Sequence, residues 1–254
     1  MKPLEITVQA AGTEEELCSN IRSALARGLP EFQYSPVIHD GTFVCVGSGW
    51  SMPDHIEAIK AHRDAGHTIV AIKAAHDFLV ENGIEPDLYV NLDPRDRRSG
   101  VQRLNDRTTY LIASRCSPDM FDHVAGRKVM LWHAYSSDEQ NAIGKRLLVG
   151  GGTTSGLRAI NIGYLLGFKK FELYGYDSCN REDGTKRFTG ELTGKTIDVF
   201  VGGPFGKRFI CNMAMAAQAN EFQKLFDIMP DALITAHGPG LIAEIMRQRL
   251  PEAA

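Results

Sequence analysis

Apolar positions along this chain follow two rhythms, one of period near 3.6 and one of short unbroken runs. Residues 13–28, TEEELCSNIRSALARG, put Leu17, Ile21, Ala24 and Leu25 on one stripe, which predicts a helix. Thr13 and Glu16 have the spacing of a capping box, and Gly28 supplies a stop. From residue 43 apolar runs and helical stretches alternate. TFVCVG, TIVAIK, DLYVNLD, TTYLIAS, KVMLWH and KKFELYGYD predict strands. PDHIEAIKAHRDAG, AHDFLVENG, a short stretch at 118–123 and TSGLRAINIGYLLG predict the helices between them, three of these closed by Gly66, Gly83 and Gly167. The rhythm then breaks. KTIDVFVGGPFGKRFICN (195–212) predicts a hairpin around Gly202-Gly203-Pro204. A long helix (213–229), a short strand (ALITAH) and a last helix after Gly238-Pro239-Gly240 follow.

Strand runs that are apolar without alternation are buried on both faces, the mark of a parallel sheet. The expected fold is α/β: a doubly wound, mostly parallel Rossmann-like sheet with helices on both faces, an N-terminal helical arm and a β-hairpin insertion. Too few units fit for a (β/α)8 barrel. The expected organisation is an arm over residues 1–40 and one domain over 41–254, with the hairpin insertion at about 186–211.

Composition narrows the function classes. A net charge of -3 argues against a general nucleic-acid binder, although DPRDRR (93–98) is a local basic cluster. No stretch reaches the roughly 18 apolar residues of a membrane span, and the first residues lack the apolar run of a signal peptide. Cys18, Cys45, Cys116, Cys179 and Cys211 are odd in number, far apart and without a C-x-x-C pair, which points away from a disulfide framework or zinc site. The expectation is a cytoplasmic protein with no nucleic-acid or membrane partner. The oligomeric state is open, a homo-oligomer included.

Ligands of open α/β sheets gather at the carboxyl ends of the strands, and five features fall there. Gly47-Ser48-Gly49-Trp50-Ser51 links a strand to a helix start, where free N–H groups favour an anion or the glycines simply form a strand-to-helix turn; neither the dinucleotide fingerprint nor the Walker loop is met. Asp93 ends a strand, where a carboxylate can hold Mg2+ or a ribose hydroxyl, and Arg95, Arg97 and Arg98 after it suit either phosphate or a solvated loop. Gly151, Gly152, Thr153, Thr154 and Ser155 open another helix and can cap it or bind a second anion. Asp177 lies just past a central strand, as a second metal or sugar ligand or as the cap of a turn. His237 lies between a strand end and a glycine turn, as a general acid or base or as a partner of nearby backbone. The G-x-S-x-G context of a hydrolase elbow is missing.

In this order the segments resemble the 6-hydroxymethylpterin diphosphokinase MptE-like family, whose domain also occurs in motility-associated flagellin glycosyltransferases. GSGWSM is similar to the family's G-x-G-P-S-L, with Trp50 where proline is usual. AAHDFLVENGIEPDLYVNLDP and GGTTSGLRAINIGYLLGFKKFELYGYD are similar to its later motifs. The resemblance implies a nucleotide-dependent transferase. The nearer expectation is diphosphate transfer from ATP, with Mg2+, to a small hydroxymethyl, pterin-like acceptor. The alternatives are a glycosyltransferase using a CMP-activated, sialic-acid-like nonulosonic sugar and a non-catalytic nucleotide-binding module. Its partners would be a nucleotide and a small-molecule acceptor. Asp93, Asp177 and His237 are the catalytic candidates, and Asp93 and Asp177 the metal candidates. Gly47, Ser48, Gly49, Ser51 and residues 151–155 are the nucleotide-binding candidates.

Overall fold

A computed structural model describes residues 11–135 and 140–249. The first helix, α1 (Glu14–Ala26), starts as its sequence dictates: Thr13 accepts from the Glu16 N–H and the Glu16 carboxylate accepts from the Thr13 N–H. Leu17, Ile21 and Ala24 form its buried stripe. Strand β1 (His39–Val46) follows, then a 3-10 turn at Met52–His55 running into α2 (Ile56–Asp64). Next come β2 (Thr68–Ile72), α3 (Ala75–Glu81), β3 (Leu88–Asn91), β4 (Thr109–Ala113), α4 (Pro118–His123) and β5 (Lys128–Ala134). The middle of the chain holds α5 (Gln140–Ile143), β6 (Leu148–Val149), α6 (Ser155–Leu165) and β7 (Phe168–Tyr174). The final elements are β8 (Ile197–Val201), β9 (Lys207–Cys211), α7 (Met213–Ile228), β10 (Leu233–Ala236) and α8 (Leu241–Arg249).

Eight strands form one parallel sheet in the order β10-β7-β1-β2-β3-β4-β5-β6. Consecutive residues are buried through the ends of β1 to β4, so both faces are covered. α2 and α3 pack on β2, and α6 crosses β1, β2, β3 and β7. The predicted Rossmann-like sheet is thus the observed one. β6, of two residues, and α5, of four, carry no periodic signal and were not expected.

The arm segment lies along the domain. α1 packs on α4 and α5, and Glu31 bridges Leu131 in parallel, with Phe32 N–H donating to the Leu131 carbonyl and Leu131 N–H to that of Pro30. Residues 30–32 thereby cover the stretch of β5 that precedes its pairing with β6. The antiparallel β8–β9 hairpin has its own small core, in which Cys179, Phe209, Cys211, Ala216, Ala219 and Leu241 bury one another.

After β1 the chain steps outward strand by strand to β6, then returns along α6 to place β7 on the other side of β1. That reversal puts the sheet's switch point between β1 and β7, where ligand crevices of open sheets lie. Among the described residues no helix is long and apolar enough to cross a membrane.

Candidate functional site

The turns after β1 and β7 press directly on each other. Gly47 N–H donates to Tyr174 O (2.8 Å) and Gly49 N–H to Gly175 O (2.9 Å). A side-chain carbon on Gly47 would sit 2.6 Å from Gly175 O, and one on Gly49 would run into the Asp177 carboxylate. These glycines therefore serve a backbone-to-backbone approach. The Ser51 N–H (2.9 Å) and hydroxyl (2.6 Å) both donate to Asp177. The Gly47, Gly49 and Ser51 N–H groups, expected to face an anion, are thus spent inside the protein. The same geometry leaves Asp177 little capacity for a metal. It is 2% exposed, and both of its oxygens latch Ser51. Burial raises its carboxyl above the usual 3.8 against the pull of Ser51, which disfavours the charged form a metal needs.

Trp50, the departure from the family pattern, reaches the hairpin's core. Its indole N–H donates to Cys179 O (3.1 Å). Ser48 turns the other way, and its hydroxyl accepts from Arg187 Nη1 (2.9 Å), in the segment before the hairpin.

Arg187 leads to a cationic cluster over the ends of β2 and β3. Asp93, its side chain 3% exposed, accepts from Lys73 Nζ (2.9 Å), Arg95 Nε and Nη2 (both 2.8 Å), Arg97 Nε (2.8 Å) and the Arg95 N–H (3.2 Å). Burial would raise this carboxyl, but Arg95, Lys73 and Arg97 overcome it and hold Asp93 well below the usual carboxylate range. Lys73 is pulled the other way: burial lowers its amine, and Asp93 opposes that. Lys73 also has a φ of 53°, a left-handed conformation rare for a side chain with a Cβ. Glu191 pairs with Lys186 (2.6 Å) and Arg187 (2.8 Å). Arg98 stands apart, paired with Asp96 and Asp119.

A cation bound by Asp93 would need a free carboxylate lone pair, and five N–H donors fill the available directions. It would also meet three side-chain cations at contact distance. Among the described residues no group of three or more His, Cys, Asp or Glu could hold a metal ion. The donor set at Asp93 and Asp177 does not fit resident Mg2+.

The second glycine-rich segment is turned largely to structure. The Thr153 N–H and hydroxyl both donate to Glu221 on α7 (2.9 Å each), and Thr154 caps α6 by accepting from the Leu157 N–H. Gly151 and Gly152 have φ of 102° and 107°, so the tight turn requires them. Ser155 touches the first site: its hydroxyl accepts from the Leu92 N–H (3.0 Å), one residue before Asp93.

His237 lies on the opposite flank of the first loop. Its ring stacks on Tyr174 (4.3 Å between centroids, 5° between planes), and Nε2 meets Glu172 at 2.5 Å. His55 is 6.2 Å away, and burial and then His237 lower its imidazole pKa. The structure thus joins the first loop to Asp177, to the cluster through Arg187 and to the His237 flank through the Gly238 turn, which packs on Ser51 and His55. Lys73, Lys186, Arg187, Glu191 and Glu172 escaped the sequence reading. Only the KR pair in GTKRF (184–188) offered a signal, and nothing in the sequence ties it to Ser48, 139 residues earlier.

Comparison with known proteins adds to this. The family model described as 6-hydroxymethylpterin diphosphokinase MptE-like matches residues 15–183. No curated protein sequence matches the chain. Among solved structures, the MAf glycosyltransferase from Magnetospirillum magneticum AMB-1 is similar with a TM-score of 0.68 and 17% identity, covering 95% of this chain and 42% of that one. This chain therefore spans less than half of that protein, and the likeness is one of fold. A mammalian sialyltransferase superposes with a TM-score of 0.42 and 12% identity, over 93% of this chain and 90% of that one.

Proposed function

The chain belongs to the 6-hydroxymethylpterin diphosphokinase MptE-like family, a family of transferases, and from that premise we propose that it moves diphosphate from ATP to a small hydroxymethyl, pterin-like acceptor. The observation that carries this reading is the charge at the ends of β2 and β3. Lys73, Arg95, Arg97, Lys186 and Arg187 face two carboxylates, Asp93 and Glu191. Transfer of a diphosphate concentrates negative charge that fixed cations can stabilise. A CMP-activated sugar has one phosphate and asks for less.

In this reading the acceptor oxygen attacks the β-phosphorus, the bond from that phosphorus to the α-bridging oxygen breaks, and AMP leaves. Asp93 positions Lys73, Arg95 and Arg97, and Asp177 shapes the first loop. His237 is the candidate to take the acceptor's hydroxyl proton. With its Nε2–H directed to Glu172, Nδ1 has the lone pair. Mg2+ enters with the ATP phosphates and not as an ion resident on Asp93.

The test is AMP release from ATP with a hydroxymethylpterin acceptor, followed by chromatography of both products. The expected outcome is one AMP per diphosphorylated acceptor. CMP release from a CMP-nonulosonic acid, with no AMP from ATP, would replace this reading with the sugar-transfer one. Nucleotide binding without either product would leave a binding module.

A further inference from the structure

We propose that Lys73, Arg97 and Arg187 form a polyphosphate subsite that works without a protein-bound divalent cation, with Asp93 keeping the cations assembled until the anion arrives. The inference deepens the donor reading of this edge by assigning the donor's phosphates to particular side chains, and its test needs no turnover.

Three observations carry it. The first is the charge balance. Five cations and two carboxylates leave three positive charges uncompensated within this patch. Lys73, Arg97 and Arg187 lie close enough to act electrostatically on one another, as Arg97 and Arg187 each oppose protonation of Lys73. Like charges gathered at partly buried positions repel, and an added anion relieves the repulsion.

The second is geometry. Asp93 is buried and saturated with donors, while Arg97 and Arg187 keep about a third of their side chains exposed (37% and 35%). Both are thus open to a ligand from solvent, Arg97 while tied to buried Asp93 and Arg187 while tied to half-exposed Glu191. Arg187 also touches Ser48, which brings the first loop's hydroxyl to the cluster. A polyphosphate could take the planar forks that Asp93 and Glu191 now occupy.

The third is an unused donor beside the cluster. Asn91 is fully buried, its amide oxygen accepts the Asp93 N–H (3.0 Å), and its Nδ2 has no hydrogen-bond partner among the described residues. A buried donor without a partner is costly and common where a ligand completes the bonding. Lys73 adds backbone strain at the same place, where its left-handed turn between β2 and α3 accompanies the Nζ contact with Asp93.

The probe is inorganic pyrophosphate, titrated calorimetrically into the full chain at low ionic strength, once with EDTA and once with Mg2+. AMP and CMP serve as single-phosphate controls. Pyrophosphate should bind with EDTA present, and more tightly than either control. Arg187→Gln and Arg97→Gln should each weaken it roughly tenfold, because each removes a charge-assisted contact. Asp93→Asn should retain or tighten binding, because it removes the internal competitor. Binding only with Mg2+, or its loss in Asp93→Asn, would make Asp93 a metal ligand and overturn the proposal. Equal affinity in both arginine variants, or no pyrophosphate binding, would overturn it too. Should Asp93→Asn fail to fold, the EDTA comparison and the arginine variants decide. Pyrophosphate binding without AMP release would sink the proposed reaction and leave this subsite standing.

Discussion

Asp93 and Asp177 lie just past β3 and β7, two strands of one parallel sheet with β1 and β2 between them, and their surroundings drive the two carboxylates in opposite directions. Asp93 is ringed by Lys73, Arg95 and Arg97 and stays ionised far into acid. Asp177 meets no cation at bonding distance among the described residues, only the N–H and hydroxyl of Ser51, and burial favours its neutral form. The first carboxylate organises charge that faces solvent. The second fastens two turns together behind it. Position at a strand end is therefore too coarse to assign a chemical role; the count of cations in contact separates the two.

The strongest way to break this contrast is to remove the latch. Asp177→Ala strands the Ser51 donors in a buried turn and opens a void, which should cost about 3 kcal/mol. The melting temperature should fall by roughly 6–12 °C, at 2–4 °C per kcal/mol for a chain of this size. A scanning calorimetry shift under 2 °C would show that Asp177 does not fasten the turns. Gly49→Ala attacks the same junction from the other side, pushing a methyl into the Asp177 carboxylate and the Gly175 carbonyl, with an expected loss of ~2 kcal/mol in a urea titration. Wild-type stability in this variant would mean the turns can part without penalty.

Asp93→Asn should cost less, about 1.5 kcal/mol, because the amide oxygen still accepts from Lys73 and the arginines are partly solvated. A loss as large as that of Asp177→Ala would erase the contrast. The smallest effect is in the pH profile. Asp93 has a folded pKa below its unfolded value. The stability it supplies is complete above about pH 4 and drains away as pH falls further. Asp177 has a folded pKa above its unfolded value, so its charged form penalises the fold at neutral pH and the penalty fades on acidification. Urea midpoints between pH 7 and 3 should show the wild-type advantage over Asp93→Asn constant and then shrinking below pH 4. The advantage over Asp177→Asn should grow as pH falls. Parallel profiles would refute the opposite shifts.

Most of the fold was legible because it rests on local signals. The Thr13–Glu16 box, the glycine stops and the apolar runs of β1 to β4 each need a few adjacent residues. The site was legible only where its members are neighbours in sequence, as with Asp93, Arg95 and Arg97. Lys73 looked like an ordinary polar residue after a strand, since its left-handed turn leaves no compositional mark. Arg187 and Glu172 reach their partners across 139 and 65 residues, and periodicity says nothing about such distances. The glycines of the first loop mark a turn in the sequence, and either an anion or a second turn can use the room they leave. Sequence shows that a turn lacks side chains, and not whether the freed space admits a ligand or a second turn.

The reversal that places β7 beside β1 also governs when the protein can come into being on the ribosome. β1 ends at Val46, but one of its two partners is completed only at Tyr174, and the Ser51 latch waits for Asp177. At about 5–20 residues per second, roughly ten seconds separate emergence of the first glycine loop from that of the turn that shapes it. During that interval β1 is a sheet edge of Phe43, Val44, Cys45 and Val46, an apolar template open to wrong partners. The nascent chain therefore carries this open edge until the turn after β7 exists, and a synonymous change that slows translation between codons 51 and 177 should lower soluble yield without altering a residue.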